Sequence, residues 1–110
     1  MRSLKFSPDS LNDLKEIKQY ISEDLVNEKS AQKIVNSILE KVKMLTFFPY
    51  SGALLSTTIN IQVPYRFLVC GNYTAFYKIE NDEVYIMRIL YNKRNFMNIL
   101  FDMDRNLEDI

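Results

Sequence analysis

The hydrophobic period of the sequence changes once along the chain. Five apolar residues in the first quarter are spaced by three and four: Leu11, Leu14, Ile17, Ile21 and Leu25. This is the spacing of one face of an α-helix, and a second stretch from about Glu28 to Phe47 repeats it. After Pro64 three segments have the composition of β-strands instead. The change predicts a single α+β domain over residues 1–110, with an antiparallel helix hairpin ahead of an antiparallel meander.

Local signals predict where these elements begin and end. Leu4 and Phe6 alternate with basic residues, which predicts a short N-terminal strand, and Ser7-Pro8-Asp9 is typical of a helix start. That first helix is expected to end near Asp24. Strands are predicted over 65–70, 73–79 and 84–91, separated by the turn pairs 71–72 and 81–82. The connection over 49–64 is expected to contain at most one short strand, near 59–63, and a short helix is predicted from Asn95.

Absent residue types exclude several classes of enzyme. The chain has no histidine, so histidine-based acid-base chemistry is excluded and nearly all zinc sites are as well. Its two glycines, Gly52 and Gly71, lie too far apart for a phosphate-binding glycine loop. The lone Cys70 cannot form an internal disulfide, which is typical of a reducing compartment. We therefore expect a cytoplasmic protein with no cofactor, no metal and no membrane segment.

Charge is balanced overall but not along the chain. Fourteen basic residues face fourteen acidic ones, yet residues 84–101 contain Arg88, Lys93 and Arg94 and no acid. The end of a strand that leads into a helix brings basic side chains and backbone amides together, so Lys93 and Arg94 are candidates for anion binding. A solvated turn is the alternative. Tyr91 nearby could stack on a base, carry a proton or simply pack.

Counting outward from the two turns gives a strand register. It places Arg66 opposite Tyr77, and Arg88 opposite Ala75, so that two guanidinium groups on the outer strands would flank Tyr77. Arg88 lies in an otherwise apolar run, where an unpaired charge is costly. It is therefore expected either to await an anionic ligand or to form an internal ion pair, for which Asp9, Asp13 and Glu16 are the candidates. Arg66 could equally be a solvated residue at a strand end.

Three blocks of sequence resemble the RelE/ParE superfamily of bacterial toxins: residues 64–69, residues 71–77 and residues 86–96. The resemblance implies the same order of strand, helix hairpin and meander across nearly the whole chain. It also implies the toxic half of a type II toxin–antitoxin pair, with a cognate antitoxin as partner and a homodimer as a further option. RelE-like members cut mRNA in the ribosomal A site without a metal, whereas ParE-like members poison DNA gyrase without a known catalytic site.

The two branches imply different roles for the candidate residues. The leading hypothesis is ribosome-dependent mRNA cleavage, with ribosome and mRNA as partners. Its predicted catalytic residues are Arg66, Arg88, Tyr91 and Arg94, and its predicted RNA-binding residues are Lys93 and Tyr77. Thr74 stands where RelE-like nucleases usually have arginine, and Asn95 follows Arg94 where the family commonly has aspartate. Thr74 and the pI near 6.2 favour the alternative, a gyrase poison that acts by protein–protein contact, and Asn95 can make only a neutral cap. A module that only binds its partner is a third possibility.

Overall fold

The structure is a computed structural model, and it describes residues 2–55 and 64–92. The described chain begins with β1 (Ser3–Phe6), α1 (Pro8–Gln19) and α2 (Glu28–Lys43). Four further strands follow: β2 (Ala53–Leu54), β3 (Arg66–Cys70), β4 (Tyr73–Glu80) and β5 (Glu83–Tyr91). The predicted order of N-terminal strand, two helices and three-stranded meander is confirmed over the described residues, whereas the short strand β2 was not predicted at this position. The strand predicted near 59–63 and the helix predicted from Asn95 lie outside the described residues.

The two helices begin at side-chain caps. The Ser7 hydroxyl accepts a hydrogen bond from the backbone N–H of Ser10, and Pro8 occupies the first helical turn. After α1 the chain continues as a wider π-type turn over Tyr20–Asp24. The side chain of Asn27 then caps α2 by accepting from the N–H of Ser30. A tighter turn over Met44–Thr46 closes α2, close to the predicted end of this helix.

The described strands form one sheet in the order β1-β5-β4-β3-β2. Strands β3, β4 and β5 make the predicted antiparallel meander, and Gly71 adopts the positive φ of 64° that the first turn needs. Strand β1 pairs with β5 in the parallel direction, so the sheet is mixed rather than purely antiparallel. This pairing brings the start of α1 next to the middle of β5, where the Ser7 N–H donates to the Ile86 carbonyl.

Apolar residues from the helix hairpin and from one face of the sheet form the core. Leu14 and Ile17 of α1, with Ile38 and Val42 of α2, pack in a cluster that the sheet completes. The sheet residues of this cluster include Cys70, Ala75, Tyr77, Val84, Ile86 and Ile89. Phe76 and Leu90 alternate with these residues along the strands and are also buried, so the centre of the sheet is buried on both faces.

A β-bulge in β5 changes the predicted register. Arg66 pairs with Tyr77 and Tyr77 pairs with Ile86, as predicted. The next pair along the strands is Phe76 with Arg88, which leaves Met87 as the extra residue. The prediction that Arg88 lies opposite Ala75 is therefore wrong, because a one-residue bulge interrupts the alternation on which the count relied.

Candidate functional site

Arg88 is bound to Asp13 of α1. Its Nε donates to Oδ2 and its Nη2 donates to Oδ1, both at 2.8 Å. The backbone N–H of Ile89 also donates to Oδ2, at 2.9 Å. Asp13 is only 4% exposed, so this carboxylate is removed from water and three donors replace its hydration. The arrangement joins the first helix to the last strand.

Arg88 was expected either to await an anionic ligand or to form an internal ion pair, and the structure contains the ion pair. The hydrogen bonds that the guanidinium donates to Asp13 raise the pKa of Arg88, and burial opposes that rise only in part. Because Nε and Nη2 both donate to the same carboxylate, the positive charge of Arg88 is offset by Asp13. Arg88 thus forms the internal ion pair that was the alternative to an anionic ligand, and its catalytic role stays a prediction.

Tyr77 lies at the corner where the chain leaves α2. Its hydroxyl donates to the Pro49 carbonyl at 2.7 Å and accepts from the Gly52 N–H at 3.0 Å. Burial raises the pKa of this phenol, while the Gly52 amide and the Arg66 guanidinium partly lower it. The side chain is 0% exposed, so the ring is not available for stacking on a base. RNA binding by Tyr77 stays a prediction that this burial does not favour.

Arg66 lies beside Tyr77 at the same corner but carries its charge differently. Its Nε donates to the Gly52 carbonyl at 3.1 Å and its Nη2 donates to the Tyr50 carbonyl at 3.3 Å. The guanidinium carbon stands 5.3 Å from the centre of the Tyr50 ring. Within residues 2–55 and 64–92 it forms no ion pair with an acidic side chain. Among the described residues, therefore, no carboxylate offsets the charge of Arg66.

The predicted site residues do not all converge. Tyr91 packs against Tyr73 with ring centres 5.6 Å apart, at the end of β5 remote from the Arg66 pairing position. Ile86, which lies in line with Arg66 and Tyr77, is five residues from Tyr91, or about 16 Å along a strand. The structure thus brings Arg66 to Tyr77 but separates both from Tyr91. Lys93 and Arg94 lie outside the described residues.

The sequence analysis did not predict a cleft at the tip of the helix hairpin. This cleft has a volume of about 580 Å³ and lies between the end of α1, the start of α2 and the ends of β4 and β5. Tyr20, Tyr73 and Tyr91 line it, together with Glu16. The signal available in the sequence was the placement of two tyrosines next to strand ends, which is also common where tyrosines only pack.

Two further findings concern the described residues alone. In the described part of the chain, no cluster of three or more Cys, Asp or Glu side chains is placed to hold a metal ion. No helix in residues 2–55 and 64–92 is long and apolar enough to span a bilayer.

Comparison with known proteins identifies the family of the chain. The family described as "ParE toxin of type II toxin-antitoxin system, parDE" matches residues 4–96. The chain belongs to this ParE toxin family. No curated protein gives a significant match.

Two solved structures are similar to this chain. The first is described as a chromosomal ParDE toxin–antitoxin system from P. aeruginosa. It is 29% identical, has a TM-score of 0.69, and the match covers 83% of this chain and 96% of that one. The second is a conserved hypothetical protein from Helicobacter pylori, with 16% identity, a TM-score of 0.46, and coverage of 86% of this chain and 98% of that one. The membership agrees with the resemblance of the sequence to RelE/ParE toxins, and it identifies a cognate antitoxin as a partner class.

Proposed function

We propose that this toxin inhibits bacterial growth by binding DNA gyrase and poisoning it, without a catalytic site of its own. Membership of the ParE family supports the toxin role, and the resemblance to the ParE-like branch supports gyrase as the target. The hypothesis of mRNA cleavage, which led the sequence analysis, becomes the second candidate.

The observation that carries this proposal is the buried ion pair between Arg88 and Asp13. Metal-free cleavage of RNA needs positive charge that is free to stabilise the phosphorane-like transition state. Arg88 meets a carboxylate instead, and the Tyr77 hydroxyl is bound to two backbone groups. Thr74 donates to the Asn92 side chain at 2.6 Å, so the position where RelE-like nucleases have arginine carries a neutral hydrogen bond.

An aromatic surface beside Arg66 is our proposed contact with gyrase. Phe47, Phe48 and Tyr50 are 60% to 66% exposed on consecutive turns after α2. Arg66 stacks on Tyr50 at one side of this surface. Exposed aromatic residues next to an arginine are typical of the residues that contribute most to protein–protein binding. We call Phe47, Phe48, Tyr50 and Arg66 the aromatic surface.

The test uses purified toxin and purified gyrase. Toxin added to gyrase and relaxed plasmid is expected to inhibit supercoiling and to accumulate cleaved DNA, and the antitoxin is expected to reverse both effects. Phe48→Ser should weaken this inhibition. Leu11→Ser is the matched control, because Leu11 is 54% exposed on α1 and outside the aromatic surface. Unchanged supercoiling at toxin concentrations that stop growth would contradict the proposal.

Ribosome-dependent mRNA cleavage remains the second candidate because Arg66 is not neutralised by a described carboxylate. Its signature would be early loss of pulse-labelled protein synthesis, with cuts inside codons of ribosome-bound mRNA. Gyrase poisoning predicts early loss of DNA synthesis with intact mRNA instead. Induction of the toxin without its antitoxin, followed by both pulse labels in the same culture, separates the two. Unimpaired growth on induction would exclude both and leave a binding module.

A further inference from the structure

The cleft at the tip of the hairpin has aromatic walls. Tyr73 and Tyr91 contact each other with their rings tilted by 51°, and Tyr20 lines the same cleft from the π-type turn after α1. Burial raises the pKa of Tyr73, and the nearby phenols of Tyr91 and Tyr20 raise it further. None of the three hydroxyl groups has a hydrogen-bond partner among the described residues. Three neutral rings therefore face a shared space.

Two carboxylates, those of Asp13 and Glu16, line the same cleft. Asp13 uses both oxygens in its bonds to Arg88 and Ile89. Glu16 has one oxygen engaged, since Oε1 accepts from the Asn12 amide at 3.2 Å. The described lining of the cleft contains no lysine and no arginine.

We propose that this cleft binds the guanidinium or ammonium group of one arginine or lysine side chain of the antitoxin. A cation is attracted to the faces of tyrosine rings, and clusters of such rings are a recognised receptor for organic cations. Glu16 supplies a carboxylate at the edge of the cleft, where a guanidinium can donate to it. The stem of the side chain would pack on Ile17 and Ile21, which are apolar lining residues.

Charge complementarity favours the antitoxin over gyrase as the source of this cation. The proposed gyrase contact carries the positive charge of Arg66. It follows the C-terminal end of α2, whereas the cleft lies at the N-terminal end of this helix. The described lining of the cleft carries the carboxylate of Glu16 and no basic side chain, and the antitoxin is the partner class that family membership identifies. The inference rests on the toxin–antitoxin pairing and is independent of whether gyrase is the target.

The first test measures binding of a small cation to the purified full-length toxin. N-acetyl-arginine amide is the probe, and N-acetyl-citrulline amide is its neutral isostere. The arginine probe is expected to shift the NMR signals of Tyr20, Tyr73 and Tyr91, and the citrulline probe is expected to bind several-fold more weakly. Equal binding of the two probes, or shifts located elsewhere, would overturn the proposal.

Variants of the toxin separate charge and ring contributions in the same experiment. Tyr91→Leu keeps an apolar side chain but removes a ring face, and it is expected to weaken the arginine probe by roughly two- to fivefold. Glu16→Gln is expected to weaken it by a similar factor. Glu40→Gln is the matched control on the exposed side of α2 and should leave binding unchanged. The proposal would be contradicted if only Glu40→Gln weakened binding of the arginine probe. It would also be contradicted if none of the three variants weakened it.

The second test identifies the source of the cation. Each lysine and arginine of the antitoxin is changed to glutamine and paired with wild-type or Glu16→Gln toxin. Substitution of one antitoxin residue is expected to weaken the complex with wild-type toxin several-fold. The same substitution should weaken the complex with Glu16→Gln toxin much less, because the antitoxin and toxin substitutions remove the same contact. Additive effects for every antitoxin residue would exclude the antitoxin. Tighter binding of the arginine probe to Lys93→Gln or Arg94→Gln would instead identify the chain's own cation as occupant.

The same variants keep this inference separate from the proposed target. Glu16→Gln toxin without antitoxin should inhibit gyrase as strongly as the wild type, since Glu16 lies outside the aromatic surface. It should also need several-fold more antitoxin for neutralisation. If the toxin does not inhibit gyrase but Glu16→Gln is coupled to one antitoxin residue, only the proposed function is contradicted. If the toxin inhibits gyrase but no antitoxin residue is coupled to Glu16→Gln, only this inference is contradicted.

Discussion

Two arginines on the outer strands of the meander have opposite surroundings. Arg88 on β5 donates to a buried carboxylate from α1, whereas Arg66 on β3 donates to the carbonyls of Gly52 and Tyr50. A carbonyl oxygen accepts a hydrogen bond but carries no net charge. A carboxylate accepts a hydrogen bond and also neutralises the positive charge of the donor. The contrast shows that one residue type on equivalent strands serves the fold in one region and stays available to a partner in the other.

The buried pair should be the more fragile region. Arg88→Ala leaves the Asp13 carboxylate buried beside one remaining donor, the Ile89 N–H. We expect the free energy of unfolding to fall by about 3–5 kcal/mol, as measured by urea denaturation of the purified toxin. The double variant Asp13→Leu/Arg88→Met removes both charges and should recover most of the loss. A change below about 1 kcal/mol in Arg88→Ala would mean that the pair is solvated and that Arg88 is free for a ligand.

The Tyr77 corner should have an intermediate sensitivity. Tyr77→Phe removes the hydroxyl that accepts from the buried Gly52 N–H, and we expect a loss of about 1–3 kcal/mol in urea denaturation. Tyr85→Phe is the control, because the Tyr85 hydroxyl has no hydrogen-bond partner among the described residues. Equal effects of the two substitutions would indicate that the corner does not depend on this hydroxyl.

Arg66 should show the reverse balance between stability and function. Arg66→Ala breaks hydrogen bonds that remain accessible to water, so the free energy of unfolding is expected to fall by about 1 kcal/mol or less. Gyrase inhibition is expected to fall by roughly tenfold or more, since arginines beside aromatic residues often dominate protein interfaces. Arg66→Lys keeps the charge but loses the guanidinium that lies over the Tyr50 ring, and it should be only partly active. Full activity of Arg66→Ala would remove Arg66 from the aromatic surface.

The sequence predicted elements well and the surroundings of side chains less well. Spacings of three and four residues located both helices, and two-residue turns set the pairs of Cys70 with Tyr73 and of Glu80 with Glu83. These features depend on neighbours in the chain. The bulge at Met87 has no local signal, and it moved Arg88 out of the predicted register. It was long-range packing of α1 on β5 that selected Asp13 from three candidate acids.

The Tyr77 corner and the cleft at the hairpin tip also depend on contacts between residues that are far apart in the sequence. Tyr77 was predicted beside Arg66, and the structure places them together, but burial of the ring depends on the turn after α2 folding back over the sheet. The cleft at the hairpin tip needs the π-type turn and two strand ends to meet in space. The pattern of a single sequence does not show which distant segments contact each other. A tyrosine that packs in the core and a tyrosine that lines a cleft therefore have the same local sequence signal.

Alkaline pH should destabilise the fold through the buried groups Cys70 and Tyr77 and not through Arg88. Burial raises the pKa of Cys70 above its ordinary value of 9.0 and that of Tyr77 above 10.0. A raised folded-state pKa means that the unfolded chain loses its proton first. The stability contributed by these groups is therefore complete below pH 9 and is lost as the pH rises through the folded values. Arg88, whose pKa is also raised, stays protonated in both states over this range and contributes nothing.

The pH effect is the smallest of the four and is read from urea midpoints between pH 7 and pH 11. We expect a flat profile to about pH 9 followed by a decline. Cys70→Ala should remove the first part of that decline, and Tyr77→Phe should remove part of the later one. Tyr85→Phe should leave the profile unchanged, since the Tyr85 ring is only half-buried and its hydroxyl has no hydrogen-bond partner among the described residues. A decline that persists unchanged in both Cys70→Ala and Tyr77→Phe would assign the alkaline loss to other groups, and the contrast between the two arginine regions would then rest on the substitutions alone.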